Sequence, residues 1–116
     1  ILFADLKNKE INNKIISKLK KYNSQREYFF TTVNPKDKTF EETRYWRGPV
    51  WINSNWIIYQ GLTNKDKNFS ELLKNKTLEL LENKKFHEYY NFKNGDCLGA
   101  NNFSWSAALY LDLKFN

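Results

Sequence analysis

Between Val50 and Leu62 the chain reads VWINSNWIIYQGL, with no charged residue. A second such stretch, SWSAALYLDL, runs from Ser104 to Leu113 with one aspartate in it. A helix that is apolar on most sides is buried on most sides. A chain with two of these must therefore supply covering layers for both. The stretches between them have a different character. From about Asn8 to Lys21, Ile11, Ile15 and Leu19 recur at helical spacing, with Ile16 and Tyr22 widening the stripe and Lys, Asn and Ser elsewhere. From about Lys65 to Lys84, Phe69, Leu72, Leu73, Leu80 and Leu81 make a similar stripe opposite a charged face. Both patterns predict amphipathic helices with one buried side.

The predicted order is amphipathic, buried, amphipathic, buried. It implies an all-α chain of two layers, the outer half-wet and the inner dry. Pro49 fits the first turn of the second helix, Gly61 its stop, and Ser104 the N-cap of the fourth. Two long connections remain, 22–49 and 85–103. Connections longer than about 12–15 residues in a compact domain are functional or disordered. These hold Tyr28, Phe29, Phe30, Tyr45, Trp46, Phe86, Tyr89, Tyr90, Phe92 and Phe103, and disordered segments are poor in aromatics. They are read as ordered and functional.

Composition removes several classes. Aromatics make up 17% of the 116 residues, a globular value. No apolar run approaches the roughly 18–20 residues of a membrane span, so no membrane partner is expected. The first ten residues lack the basic-then-apolar pattern of a signal peptide. Cys97 and His87 are single, too few for a zinc site of ordinary ligand count, and no cofactor or metal is expected. A lone free thiol suits a reducing, cytoplasmic compartment. The net charge of +6 comes from lysines interleaved with asparagines. That is a solvated surface rather than the clustered, arginine-bearing face of a nucleic-acid binder.

Both long connections lead into the N-terminus of an inner helix. They should meet on one face, gathering Trp46, Arg47, Trp51, Asn53, Glu88, Tyr89, Asn102, Phe103 and Trp105. Aromatic rings stack on the C–H faces of sugars, while Asn, Arg and Glu hydrogen-bond hydroxyls. The set suits a carbohydrate better than a phosphate, for which no Gly-rich loop is present. Each residue has a plainer reading. Glu88 alone reads as a solvated carboxylate, and Arg47 as the partner of Glu41 or Glu42. Trp51 and Trp105 are open between core and site. Trp56, a full turn inside its helix, reads as core. His87 reads as a surface or packing residue, and Asp96, in Asn94-Gly95-Asp96, as turn chemistry.

Two motifs change this balance. Tyr45-Trp46-Arg47-Gly48-Pro49-Val50-Trp51-Ile52-Asn53, followed by Asn55-Trp56 and Gly61-Leu62, resembles the YWRGPVWxNxNW…GL segment of glycoside hydrolase family 63 and its relatives. Phe86-His87-Glu88-Tyr89-Tyr90-Asn91, with Asn94-Gly95, Gly99 and Phe103-Ser104-Trp105-Ser106-Ala107-Ala108-Leu109, resembles their FxEYYDPxTGxGxGxxxFSWTAAL segment. Leu2-Phe3-Ala4 and the first helix extend the resemblance over essentially the whole chain. The family includes bacterial α-glucosidases, mannosylglycerate and glucosylglycerate hydrolases and a processing glucosidase. The Glu-Tyr-Tyr and Phe-Ser-Trp-Ser-Ala forms resemble the bacterial and glycerate-type enzymes more closely.

The resemblance implies an (α/α)6 toroid, of which residues 1–116 would be the last third, a C-terminal fragment of the catalytic domain. It implies an inverting α-glycosidase acting on α-glucosides or α-mannosides, with Glu88 as the general base. It implies sugar-subsite roles for Trp46, Arg47, Trp51, Asn53, Tyr89, Phe103 and Trp105. Asn91, Phe92 and Ser106 depart from the family's common Asp, Pro and Thr. The family's general acid, an aspartate, lies before the matched region, and nothing assigns that role to Asp37, Glu41 or Glu42. The chain alone is therefore expected to be inactive, completed by the remainder of the catalytic domain as partner. Twelve helices of about 11–12 residues, with connections, also need a longer chain. The competing expectation is a non-catalytic truncated helical domain acting as a sugar-binding or protein-interaction module.

Overall fold

The computed structural model describes residues 7–23 and 30–116. Leu2-Phe3-Ala4 and the loop aromatics Tyr28 and Phe29 lie outside the described residues. Four helices follow in order: α1 (Lys9–Asn23), α2 (Ile52–Leu62), α3 (Lys67–Lys84) and α4 (Ser104–Phe115). The second long connection also carries a short antiparallel ladder, β1 (Tyr89–Tyr90) with β2 (Cys97–Leu98), which helical periodicity could not announce.

Helix α1 starts where the Asn8 side chain accepts the Ile11 N–H at 3.1 Å, an N-cap that satisfies one orphan donor. Helix α3 starts on Asp66, whose carboxylate accepts the Phe69 N–H at 3.1 Å. The same carboxylate pairs with Lys20 of α1, and that ammonium holds it below the usual aspartate range. One side chain thus starts one helix and ties down another.

Among the described residues the core forms two clusters. Ile16, Phe30, Tyr59, Leu62, Phe69, Leu73 and Leu113 join all four helices. Val50, Ile52, Leu80, Leu81 and Tyr90 join α2 and α3 to the ladder. Burying each large apolar side chain contributes about 1.5–3 kcal/mol, so these clusters set the relative placement of the helices.

Several expectations need correction. Pro49 and Val50 precede α2 and are not its first turn. The Val50 N–H and C=O are both bonded to Tyr90, at 2.8 and 2.9 Å, and this pairing holds the segment extended. Gly61 lies inside α2 and does not stop it. The stop is the turn that follows, where the Leu62 carbonyl takes the N–H groups of Lys65 and Asp66. Ser104 is the first helical residue of α4, and the cap is Phe103, with no side-chain hydrogen bond. Ile11 and Leu72, placed in the buried stripes, are exposed. The inner helices are also less covered than their composition predicts. Helix α4 buries only Ser106 and Leu113, while Trp105, Leu111, Phe115 and, on α2, Ile57 stand exposed.

Candidate active site

The two rim segments meet as expected. Glu88 lies in a tight crevice lined by Trp51, Ile52 and Asn53 from the start of α2 and by Phe103, Trp105 and Ser106 from the start of α4. Helix N-termini present unpaired N–H groups and partial positive charge. The starts of α2 and α4 both border the crevice that holds Glu88.

The segment before β1 is clamped at several points. The Phe103 N–H donates to the Phe86 carbonyl at 2.8 Å. Ser106 Oγ donates to the His87 carbonyl at 2.7 Å. The phenol of Tyr90, wholly buried, accepts the His87 N–H at 2.8 Å and donates to the Lys85 carbonyl at 2.6 Å. Burial pushes that phenol up to about 12, so it stays a donor at any ordinary pH. Glu88 therefore stands on a segment whose backbone is tied on both sides.

Beside it is a column of aromatic rings. Trp46 stacks on Trp51 at 3.7 Å between ring centres, and Tyr89 stacks on Trp51 at 5.2 Å. Tyr45 meets all three edge-on. Trp46 is 40% exposed, but Trp51 is only 2% exposed and donates its indole N–H to the Tyr45 carbonyl at 3.0 Å. The open choice for Trp51 thus falls on the core side: it is the middle of the stack and props the rings around it. Tyr45 carries φ 35° in the turn Tyr45–Arg47, a left-handed conformation that costs a non-glycine residue about 1–3 kcal/mol and that clusters at functional sites.

Arg47 reaches Glu41 at 2.6 Å, and Arg44 reaches it at 3.2 Å. The two guanidiniums hold the Glu41 carboxyl below its ordinary range. Gly48 makes this turn possible, since a Cβ there would lie 2.1 Å from the Glu41 carbonyl oxygen. Glu42 bridges the two rim segments, accepting from Asn91 at 3.0 Å and pairing with Lys93. Those bonds, Lys93 first, lower its carboxyl as well. Asn53 is half-buried, its side-chain oxygen accepting the Ser54 N–H at 2.9 Å. Phe103 is half-buried and Trp105 is 48% exposed. Asn102 leads into α4 with φ 51°. Trp56 donates its indole N–H to Asp112 at 2.6 Å, away from the rim, as a residue one turn inside its helix should. Asn94, Gly95 and Asp96 form the hairpin turn, with the Asp96 N–H on the Asn94 side chain at 3.0 Å.

Sequence reading missed Asn55. It is 1% exposed, accepts the Phe30 N–H at 2.9 Å and donates to the carbonyls of Phe30 and Trp51. Buried amides must be bonded, so an asparagine in a charge-free stretch was the available signal. Among the described residues no group of three or more His, Cys, Asp or Glu could hold a metal, and no helix is long and apolar enough to cross a membrane.

A carboxylate and stacked aromatics thus lie where two of the helices begin, and the same arrangement of sequence is found in a known family of helical domains. The model of the mannosylglycerate hydrolase MGH1-like glycoside hydrolase domain matches residues 1–106. The chain belongs to that family. It is 38% identical over 113 residues to the mannosylglycerate hydrolase of Thermus thermophilus, covering 95% of this chain and 27% of that one. It is 34% identical over 117 residues to mannosylglycerate hydrolase MGH1 of Selaginella moellendorffii, covering 98% and 24%. Among solved structures, the family 63 mannosylglycerate hydrolase of Thermus thermophilus in complex with glucose superposes with a TM-score of 0.86 at 34% identity, over 96% of this chain and 29% of that one. The same enzyme with Tris and D-glycerate gives 0.88 at 36%, over 95% and 27%. The four helices are thus part of the (α/α)6 fold of family 63, and the chain spans about a quarter of the length of these relatives.

Proposed function

We propose that residues 1–116 form the C-terminal part of the catalytic domain of an inverting α-glycosidase that cleaves α-mannosides or α-glucosides, glycerate glycosides included. The observation that carries this reading is Glu88 set among residues from the starts of α2 and α4, with exposed Trp105 beside it and exposed Trp46 stacked on Trp51 of the same crevice. The relatives' names supply the glycerate glycoside as the substrate class.

Glu88 is the general base. It removes a proton from a water whose oxygen bonds to the anomeric carbon, on the face opposite the leaving group. As that bond forms, the glycosidic C–O bond breaks. An acid from outside this chain protonates the departing oxygen. Trp46 and Trp105 offer ring faces to the sugar, with Tyr89 and Phe103 beside them, and Asn53 and Arg47 offer hydrogen bonds to its hydroxyls. Trp51 acts by holding Trp46 and Tyr89 in place. The chain alone lacks the acid and is inactive.

The test is the configuration of the first product. Proton NMR of early turnover by the complete enzyme on an α-mannoside should find the β-anomer before mutarotation. First appearance of the α-anomer would overturn the inverting reading.

A further inference from the structure

The ladder sets Tyr89 opposite Leu98 and Tyr90 opposite Cys97. Continued, it would set Glu88 opposite Gly99 and His87 opposite Ala100. The chain leaves that register at Gly99, whose φ is 70°. The Ala100 carbonyl takes the Glu88 N–H at 2.9 Å, and the His87 N–H goes to the Tyr90 hydroxyl instead. A bulge with glycine in the left-handed region bends a strand and re-aims a side chain. Here Gly99 and Ala100 together lie opposite Glu88. Ala100 also donates its own N–H to Glu88 Oε2 at 3.1 Å, so one residue grips both the backbone and the carboxylate. A Cβ on Gly99 would lie 2.6 Å from Glu88 Oε2, 2.6 Å from Tyr89 Cε1 and 2.8 Å from Glu88 Cβ. No side chain fits there while the carboxylate keeps its place.

We propose that Gly99 and the Ala100 N–H are the positioning groups of Glu88, the glycine by leaving room for the carboxylate and the amide by fixing its direction. This rests on Glu88 being the general base. A base must lie within hydrogen-bond reach of the water it activates, and a misplacement of about 1 Å can cost on the order of 100-fold in rate.

In the complete enzyme, Gly99→Ala should lower kcat about 100-fold or more with KM within about threefold. Calorimetry should still find about one glycoside bound per chain, which separates misplacement from a loss of folded enzyme. A second variant removes the N–H alone, by replacing Ala100 with lactic acid so that an ester takes the amide's place. Its kcat should fall about tenfold at unchanged KM, as expected for one hydrogen bond to a charged acceptor. If Gly99→Ala does not fold, the ester variant decides. Turnover of the folded variants within about threefold of the wild type, with binding intact, overturns the proposal. If Glu88→Gln is inactive in that case, the base assignment stands and only the positioning role is lost. If Glu88→Gln turns over at the full rate, the base assignment itself has failed, and the positioning role falls with it.

Discussion

Glu88→Gln in the complete enzyme is expected to lower kcat by about 10²–10⁴-fold, the range a general base contributes, while glycoside affinity changes by only a few-fold. The substitution preserves volume and leaves an oxygen to accept the Ala100 N–H that Glu88 now receives at 3.1 Å. The surrounding clamps belong to the backbone and to Tyr90 and Ser106, so they do not depend on the charge. Steady-state kinetics with calorimetric binding separates the two effects. Loss of binding alongside turnover would make Glu88 a sugar ligand instead, and undiminished turnover would leave it with no catalytic role.

The 116-residue chain on its own is expected to show no glycosidase turnover and to self-associate as its concentration rises. The first effect follows from the missing acid, since both carboxyl groups act on one bond. The second follows from the surface. Helix α4 presents Leu111 and Phe115, and α2 presents Ile57, all exposed. An apolar patch of more than several hundred Å² marks an interface or an aggregation hazard. On the proposed reading, this face belongs against the remainder of the toroid. Sedimentation velocity over a hundredfold concentration range checks it. A single stable monomer throughout would contradict the reading of that face.

The sequence carried the helices further than it carried their surroundings. α1 and α3 were legible because their stripes recur at helical spacing, and α2 and α4 because they lack charge. What covers a helix was not legible. Ile11 and Leu72 fit their stripes yet face solvent, because a stripe says which side is apolar and not how far a neighbour reaches. Val50 looked helical from its local context and became extended through a partner forty residues away, Tyr90. The rim follows from two long aromatic connections that lead into inner helices, while the role of Glu88 comes from motif resemblance, since a lone glutamate has no local signature. Trp51 lies in the rim segment but faces inward, because its environment depends on rings from Trp46 and Tyr89. The grip of Ala100 on Glu88 depends on a bulge, and one glycine in a loop does not declare a bulge.

The central claim is that Glu88 activates the attacking water from the face opposite the leaving group. Its most direct test is Glu88→Ala in the complete enzyme, supplied with azide and an α-glycoside carrying a good leaving group. Azide needs no base, so it should restore turnover and give the β-glycosyl azide, identified by NMR. Full turnover without azide, or the α-glycosyl azide as product, would contradict the account.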